Sequence, residues 1–252
     1  LLRPEAVVII AVFAVMAARG EGRRSGFLAV VRSSLPGAMA TAFVAGLNLL
    51  LTGDMRAAGA ALKLLSSNPY SSDEDRARIY VEGFVTFWMK AVRGELAVIP
   101  ALAFVLPLVA MLGLFTRRRA LVVACMFSAF SWTLLVTWNG NAPHHNFRYY
   151  VPAFVLVSIA ASLALSAMPK KLGLAGALGL IAIAAPKIPG QVRHFAQCCA
   201  NIRDQQVEIG LKLASYRSDT IVLVGDAGAI PYVSGKHALD ALGLGSFRFV
   251  HA

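Results

Sequence analysis

Charged residues and cysteine are both scarce in this sequence. Charged side chains make up 15% of the 252 residues, and only three cysteines occur, two of them adjacent. An ordinary soluble domain carries roughly a quarter charged residues, so the composition excludes a standard soluble enzyme and a disordered chain. The few cysteines exclude a disulfide scaffold, and their positions, one inside an apolar block and two adjacent without metal-ligand spacing, argue against a metal site built on cysteine.

Apolar residues are abundant and stand in long blocks. They form 58% of the chain, and a membrane-spanning helix needs about 17 to 25 predominantly apolar residues in succession. Six blocks reach or approach that length: Ala6 to Ala18, Ser34 to Leu51, Leu96 to Phe115, Ala120 to Trp138, Val151 to Met168 and Leu172 to Ala185. The sequence therefore predicts a mainly α-helical protein, a polytopic transmembrane bundle of about six spans. Pro36 is expected in the first turn of its helix.

The basic residues predict the orientation of this bundle. Cytoplasmic loops carry the excess of Lys and Arg, and three basic clusters fall in alternate connections, at residues 19–32, 117–119 and 170–171. Segments 52–95 and 139–150 and the tail are much less biased. We predict a bundle over 1–186 with an extracytoplasmic helical loop at 52–95, and a small extracytoplasmic α/β tail at 187–252. The net charge of +11 then reflects topology and not a nucleic-acid partner.

Local signals give the polar segments some internal structure. Ser72 is expected to cap a helix whose first turn carries Asp73, Glu74 and Asp75, because a capping hydroxyl and early acidic residues both favour a helix N-terminus. In the tail, residues 191–216 have helical spacing. The β-branched run from Thr220 to Val224 predicts a strand, and the glycines after it predict a tight turn.

The hairpin at residues 139–150 is the first candidate for chemistry. It contains His144, His145, Arg148 and Tyr149 at the outer end of two predicted spans. Arginine binds phosphate in a bidentate manner, so these residues are substrate-binding candidates. The alternative is an aromatic belt with a snorkelling arginine. Adjacent histidines rarely converge on one ion, and we predict no metal site here.

Three further residues are substrate-binding candidates. Lys63 lies in the outer loop, where it can face a lipid phosphate or simply the headgroups. Asp226 follows the predicted strand between two glycines, where a carboxylate can orient a hydroxyl group or play a structural part in the turn. Asp240 stands in a second stretch punctuated by glycine.

The order of these motifs resembles that in the GT-C glycosyltransferases, a superfamily of multi-span membrane enzymes. The matching residues are Leu2-Arg3-Pro4-Glu5; Thr52-Gly53-Asp54 with Ala61-Leu62-Lys63 and Asn68-Pro69-Tyr70; Phe147-Arg148-Tyr149-Tyr150-Val151-Pro152; and Gly225-Asp226-Ala227-Gly228-Ala229-Ile230-Pro231-Tyr232 with Ser234-Gly235-Lys236 and Leu239-Asp240-Ala241-Leu242-Gly243-Leu244. Together they extend over most of the chain.

The resemblance implies transfer of a hexose or pentose from a polyprenyl-phosphate donor to a glycan, lipid or protein acceptor of the cell envelope. The expected location is a bacterial inner membrane, with a divalent cation as a candidate cofactor of the full-length enzyme. Arg148, Lys63 and Asp226 would contact donor or acceptor. The family's catalytic carboxylate lies in an early outer loop, so this chain, which starts without Met, is expected to be a C-terminal portion that is inactive alone. The alternative function is a non-catalytic membrane scaffold or a flippase or transporter component.

Overall fold

Helices dominate the computed structural model of this chain, which describes residues 6–18, 23–55, 72–93, 100–138, 149–225 and 228–241. The first part contains α1 (Ala6–Ala18), α2 (Arg23–Thr52), α3 (Asp73–Arg93), α4 (Pro100–Leu112) with a 3-10 turn at Gly113–Phe115, α5 (Arg119–Trp138) and α6 (Val151–Ser166). The predicted mainly α-helical class is confirmed.

The next helix is much longer than the sequence predicts. It begins as α7 (Lys170–Ala184), passes through a 3-10 turn at Ala185–Lys187 into α8 (Ile188–Ile202), and continues through a π-helical turn at Arg203–Val207 into α9 (Glu208–Ala214). The apolar block that forms its first part was expected to end at Ala185. The helix continues because Pro186 occupies the 3-10 turn and Pro189 the first turn of α8, where the missing N–H disturbs the hydrogen bonding least.

The hydrophobic core lies among α4, α5 and α6. Its buried members include Ala110, Val122, Trp132, Tyr150 and Ala160, and α1 packs against it. Helices α5 and α6 run antiparallel: the Arg118 guanidinium, just before α5, donates to Ser166 Oγ at the end of α6 at 3.0 Å, while the end of α5 contacts the residues that precede α6. Small buried residues permit this close approach, as in membrane helix pairs.

Helix α7 crosses α6 at two glycines. A Cβ built on Gly173 would lie 2.5 Å from the carbonyl oxygen of Leu165, and one built on Gly176 would lie 2.7 Å from a Leu165 methyl group. Any side chain at Gly173 would therefore collide with backbone. By contrast, Gly179, further along α7, has nothing within 4 Å of the equivalent position.

Three described helical segments are long and apolar enough to cross a membrane, by length and composition: Val30–Thr52, Arg119–Trp138 and Lys170–Ala214. Phe104–Phe115 and Val151–Ser166 are shorter apolar helices. At 1.5 Å per residue, the 13 residues of α1 extend about 20 Å, less than the roughly 30 Å hydrocarbon core. The structure thus supports three of the six predicted spans on this criterion.

Helix α2 differs from the expectation at its start. It begins at Arg23, so Pro36 stands in its interior and not in its first turn. Two hydroxyl groups on either side of the proline hydrogen-bond to backbone, Ser34 Oγ to the Val30 carbonyl at 2.6 Å and Thr41 Oγ1 to the Gly37 carbonyl at 2.9 Å. The missing Pro36 N–H leaves the backbone carbonyl of Arg32, four residues back, without its usual helical donor. The two hydroxyl groups bond other carbonyls, in the turns that flank the proline.

The tail contains a small α/β unit, as predicted. Strand β1 (Ile221–Val224) is followed by α10 (Ala229–Ser234) and strand β2 (His237–Asp240). The two strands are parallel, with Val224 paired to Asp240. Strand β2 is not predicted from the sequence, because its four residues carry no β-branched run and follow a glycine and a lysine. Helix α10 ends at Gly235, whose φ of +64° is the left-handed cap that glycine favours.

Candidate functional site

The first candidate site lies where α5 ends and α6 begins. The Trp132 indole Nε1 donates to the main-chain carbonyl oxygen of Tyr149 at 2.6 Å, and Thr137 Oγ1 is 3.0 Å from the Tyr150 hydroxyl oxygen. Tyr149 is 9% exposed and Tyr150 is fully buried. The chain that enters α6 is therefore held by two buried hydrogen bonds to α5.

The number of hydroxyl protons decides which residue donates in the contact between Tyr150 and Thr137. Thr137 Oγ1 also donates to the carbonyl oxygen of Thr133 at 2.8 Å. A threonine hydroxyl has only one proton, so the Tyr150 hydroxyl must donate and Thr137 must accept. Tyr150 stands just before α6, outside the apolar helical segments. Burial raises the pKa of Tyr150 to about 12, so the phenol is neutral at physiological pH.

Helix α3 contributes an aromatic contact to the same end of α5. The Ser72 hydroxyl accepts a hydrogen bond from the Asp75 backbone N–H at 3.1 Å, which confirms the predicted N-cap and sets the start of the helix. The Tyr80 ring then packs edge-on against Trp138, with ring centroids 5.1 Å apart. The amphipathic helix of the predicted outer loop thus contacts the end of α5.

Of the hairpin candidates, the structure describes only Tyr149. Lys63, His144, His145 and Arg148 lie outside the described residues. Tyr149 is buried and its carbonyl oxygen is bonded to Trp132, which gives it a role in holding the chain; the residue before it in sequence is Arg148. The partners Trp132 and Thr137 are not in the set of predicted site residues. Their only sequence signal is position, since both stand in the last two turns of a predicted span.

The second candidate site lies at the carboxyl ends of the two parallel strands. Asp240 ends β2 opposite Val224, and the backbone N–H of Ala241 donates to the Val224 carbonyl oxygen at 2.8 Å. Asp240 is 6% exposed. Asp226 lies outside the described residues but follows Val224 by only two positions. The fold therefore brings Asp240 next to the end of β1, which Asp226 follows closely in sequence.

The tail helices support this strand pair. Gly210 of α9 faces α10, because a Cβ built there would lie 2.9 Å from Val233 Cβ. Lys236 Nζ donates to the carbonyl oxygens of Tyr216 at 2.7 Å and Arg217 at 3.1 Å. The lysine predicted as part of the Ser-Gly-Lys motif thus ties the start of β2 to the chain just after α9.

In the described part of the chain, no group of three or more His, Cys, Asp and Glu side chains is arranged to hold a metal ion. The residues present there do not assemble a site for the divalent cation that the resemblance suggests.

In comparisons with known proteins, a family match was found for the tail alone. A family model described as a domain of unknown function (DUF8728) matches residues 200–252, a segment that includes α9, β1, α10 and β2 together with Asp226 and Asp240. No curated protein and no solved structure matches the chain. The matched segment of this chain includes the second candidate site.

Proposed function

We propose that this chain is the C-terminal portion of an integral membrane glycosyltransferase. It moves a sugar from a polyprenyl-phosphate donor to a cell-envelope acceptor on the extracytoplasmic face of a bacterial inner membrane. In this proposal the chain crosses the membrane six times, with the arginines before α5 in the cytoplasm and the tail outside.

Exposed apolar surface supports a location in the bilayer. Phe43, Leu50 and Leu51 on α2 are 67%, 85% and 77% exposed, and Leu172 and Leu178 on α7 are 63% and 55% exposed. Contiguous apolar surface on this scale is unfavourable in water and marks a membrane or interaction surface. Such surface can also accommodate the isoprenoid chain of a lipid-linked donor.

The single observation that carries the proposal is the anchored entry to α6. Tyr149 and Tyr150 are buried and bonded to α5, so the backbone is held at the residue that follows Arg148. Helix α3, which belongs to the loop that also contains Lys63, contacts the same end of α5 through Tyr80. In this proposal Arg148 and Lys63 bind a lipid phosphate at the membrane surface, since guanidinium and ammonium groups both suit a phosphate.

The chemistry assigns these cations to the leaving group. The acceptor hydroxyl oxygen bonds to the anomeric carbon, the bond from that carbon to the phosphate oxygen breaks, and polyprenyl phosphate departs while a base takes the hydroxyl proton. Arg148 and Lys63 would stabilise the phosphate charge. The resemblance places the base upstream of this chain, and Asp226 and Asp240 in the tail are acceptor-binding candidates.

Sugar transfer by membranes that contain the complete gene product tests the proposal. The assay supplies radiolabelled polyprenyl-phosphate hexoses and pentoses and measures label in envelope acceptors, with membranes from a deletion strain as background. Arg148→Ala should lower transfer about tenfold to a hundredfold, since a hydrogen bond to a charged group contributes about 1.5–3 kcal/mol. Arg32→Ala, an exposed arginine of α2, is the matched control and should retain activity.

Two outcomes would reject the enzyme. One is the absence of transfer from every donor tested. The other is normal transfer by the Arg148→Ala protein at normal membrane levels, which would leave this end of the bundle without a catalytic part and favour the non-catalytic scaffold or transporter component.

A further inference from the structure

An apolar groove of about 420 Å³ lies between α1 and α5. Its α1 wall includes Val12, Val15 and Met16, and its α5 wall includes Val123 and Phe127. The volume falls within the range of about 300–1,000 Å³ that is usual for small-molecule sites. The lining is almost entirely hydrocarbon, so the groove suits an alkyl chain and offers no polar group to orient a sugar.

The groove points toward a cationic end of the bundle. On α1 the lining extends from Ala11 toward the C-terminal end, to Met16, and on α5 it lies in the N-terminal half, from Ala120 to Phe127. Arg119 is the first residue of α5 and shares its face with Val123 and Phe127, because residues four apart lie above one another on a helix. Helical side chains lean toward the N-terminus, so the Arg119 guanidinium extends beyond the end of the apolar lining.

Several positive charges stand at this end of the bundle. Arg117 and Arg119 are exposed, and no described carboxylate forms a salt bridge with either of them. Arg118 is instead used to bond Ser166 of α6. The backbone of helix α2 begins at residue 23, five positions after the last residue of α1. An alkyl groove that opens at exposed guanidinium groups has the complementary shape and charge of an anionic phospholipid.

We infer that the α1–α5 groove is a binding site for an anionic phospholipid, with one acyl chain against Val123 and Phe127 and the headgroup phosphate at Arg119 and Arg117. The site lies at the opposite end of α5 from the Tyr149–Tyr150 anchor. It is therefore separate from the proposed donor site, and it does not depend on whether the protein transfers sugar.

Native mass spectrometry of the full chain in detergent measures this binding directly. Phosphatidylglycerol and phosphatidylcholine with the same acyl chains are titrated separately, and the bound lipid is counted per protein. The wild type should bind phosphatidylglycerol more tightly than phosphatidylcholine. Arg119→Gln should weaken phosphatidylglycerol binding about fivefold, from the usual contribution of one basic residue near anionic lipid. Lys171→Gln, which removes a charge on α7, is the control and should leave binding unchanged.

A bulky substitution tests the acyl-chain half of the site. Val123→Trp fills the groove and should reduce binding of both lipids, whereas Val155→Trp on α6 should not; the two valines are matched in exposure, at 50% and 51%. Photocrosslinking of the wild type with phosphatidylglycerol that carries a diazirine on its acyl chain gives a variant-independent check, and the label should fall on α1 and α5.

Three results would overturn the inference. The first is equal affinity for the two lipids, and the second is crosslinking confined to other helices. The third is a wild-type dimer that dissociates on Val123→Trp, because this would place a second copy of the chain in the groove. Equal thermal stability of the two tryptophan variants ensures that a loss of binding reports on the groove.

Discussion

The hydrogen bond from Tyr150 to Thr137 predicts an asymmetry between two substitutions that remove it. Tyr150→Phe removes the donor, while Thr137 keeps its bond to the Thr133 carbonyl. It should lower the free energy of unfolding by about 1 kcal/mol, the usual net value of one hydrogen bond. Thr137→Val removes the acceptor and deprives a buried phenol of this partner. Because it also removes the bond from Thr137 to the Thr133 carbonyl, it loses two hydrogen bonds of about 1 kcal/mol each and should be the more damaging substitution.

The double variant tests whether the two substitutions act on the same hydrogen bond. In Thr137→Val with Tyr150→Phe, both polar groups are gone and the pair becomes apolar at nearly unchanged shape. Replacing both partners in this way can be nearly neutral, so the double variant should be no less stable than Thr137→Val alone. The coupling energy between the two sites should fall in the range of about 0.5–3 kcal/mol that contacting residues show.

Unfolding by SDS in mixed micelles, followed by tryptophan fluorescence, measures these differences. Thr133→Val is the matched control: its hydroxyl also bonds a carbonyl four residues back, that of Ala129 at 2.9 Å, and no described side chain donates to it. It should change the unfolding free energy by less than either single variant. The reasoning is refuted if Tyr150→Phe is the costlier substitution, or if the double variant loses the sum of the two single effects.

Three further predictions follow from contacts elsewhere and from the buried phenol. Gly173→Ala should lower thermal stability in detergent, because the new Cβ meets a backbone oxygen of α6. Gly179→Ala, the control, should be neutral or stabilising by up to about 1 kcal/mol. Equal melting temperatures of the two variants would contradict the close crossing of α6 and α7. Gly210→Ala should increase protease cleavage within the tail because it pushes α9 from α10, and Gly190→Ala, with open space around it, should not. Tyr150 has a folded pKa of about 12 against about 10 unfolded, so its contribution to the free energy of unfolding should be complete below pH 10 and lost as the pH rises through 12. This alkaline loss of stability should shrink in Tyr150→Phe. An unchanged pH profile in the variant would argue against burial of the phenol.

Short-range signals accounted for the elements they describe. The apolar runs predicted α1 and α5 closely, and the hydroxyl and three acidic residues at Ser72–Asp75 predicted the start of α3 through the cap that the structure contains. Prolines were less reliable. Pro36 was expected in a first turn and the apolar block before Pro186 was expected to end at Ala185, yet both prolines lie within helical paths. At Pro186 the path continues through a change of helix type that local rules do not include.

The candidate sites were predicted only in part. Residue type and motif order singled out Tyr149 and Asp240, and the structure finds both buried at element ends. Their partners Trp132 and Thr137 come from a different helix, and strand β2 forms only because β1 pairs with it. A pattern read along one segment contains no information about which distant segment will cover it.

The sequence by itself determined that this protein is helical and apolar, because hydrophobic runs and helix caps act over a few residues and need no partner. Only the tertiary structure decided which faces meet: that Gly173 abuts the Leu165 backbone, that Tyr150 donates to Thr137, and that a groove remains between α1 and α5. The physical reason is that close packing and buried hydrogen bonds are properties of pairs of surfaces, and a pair exists only after the chain has folded.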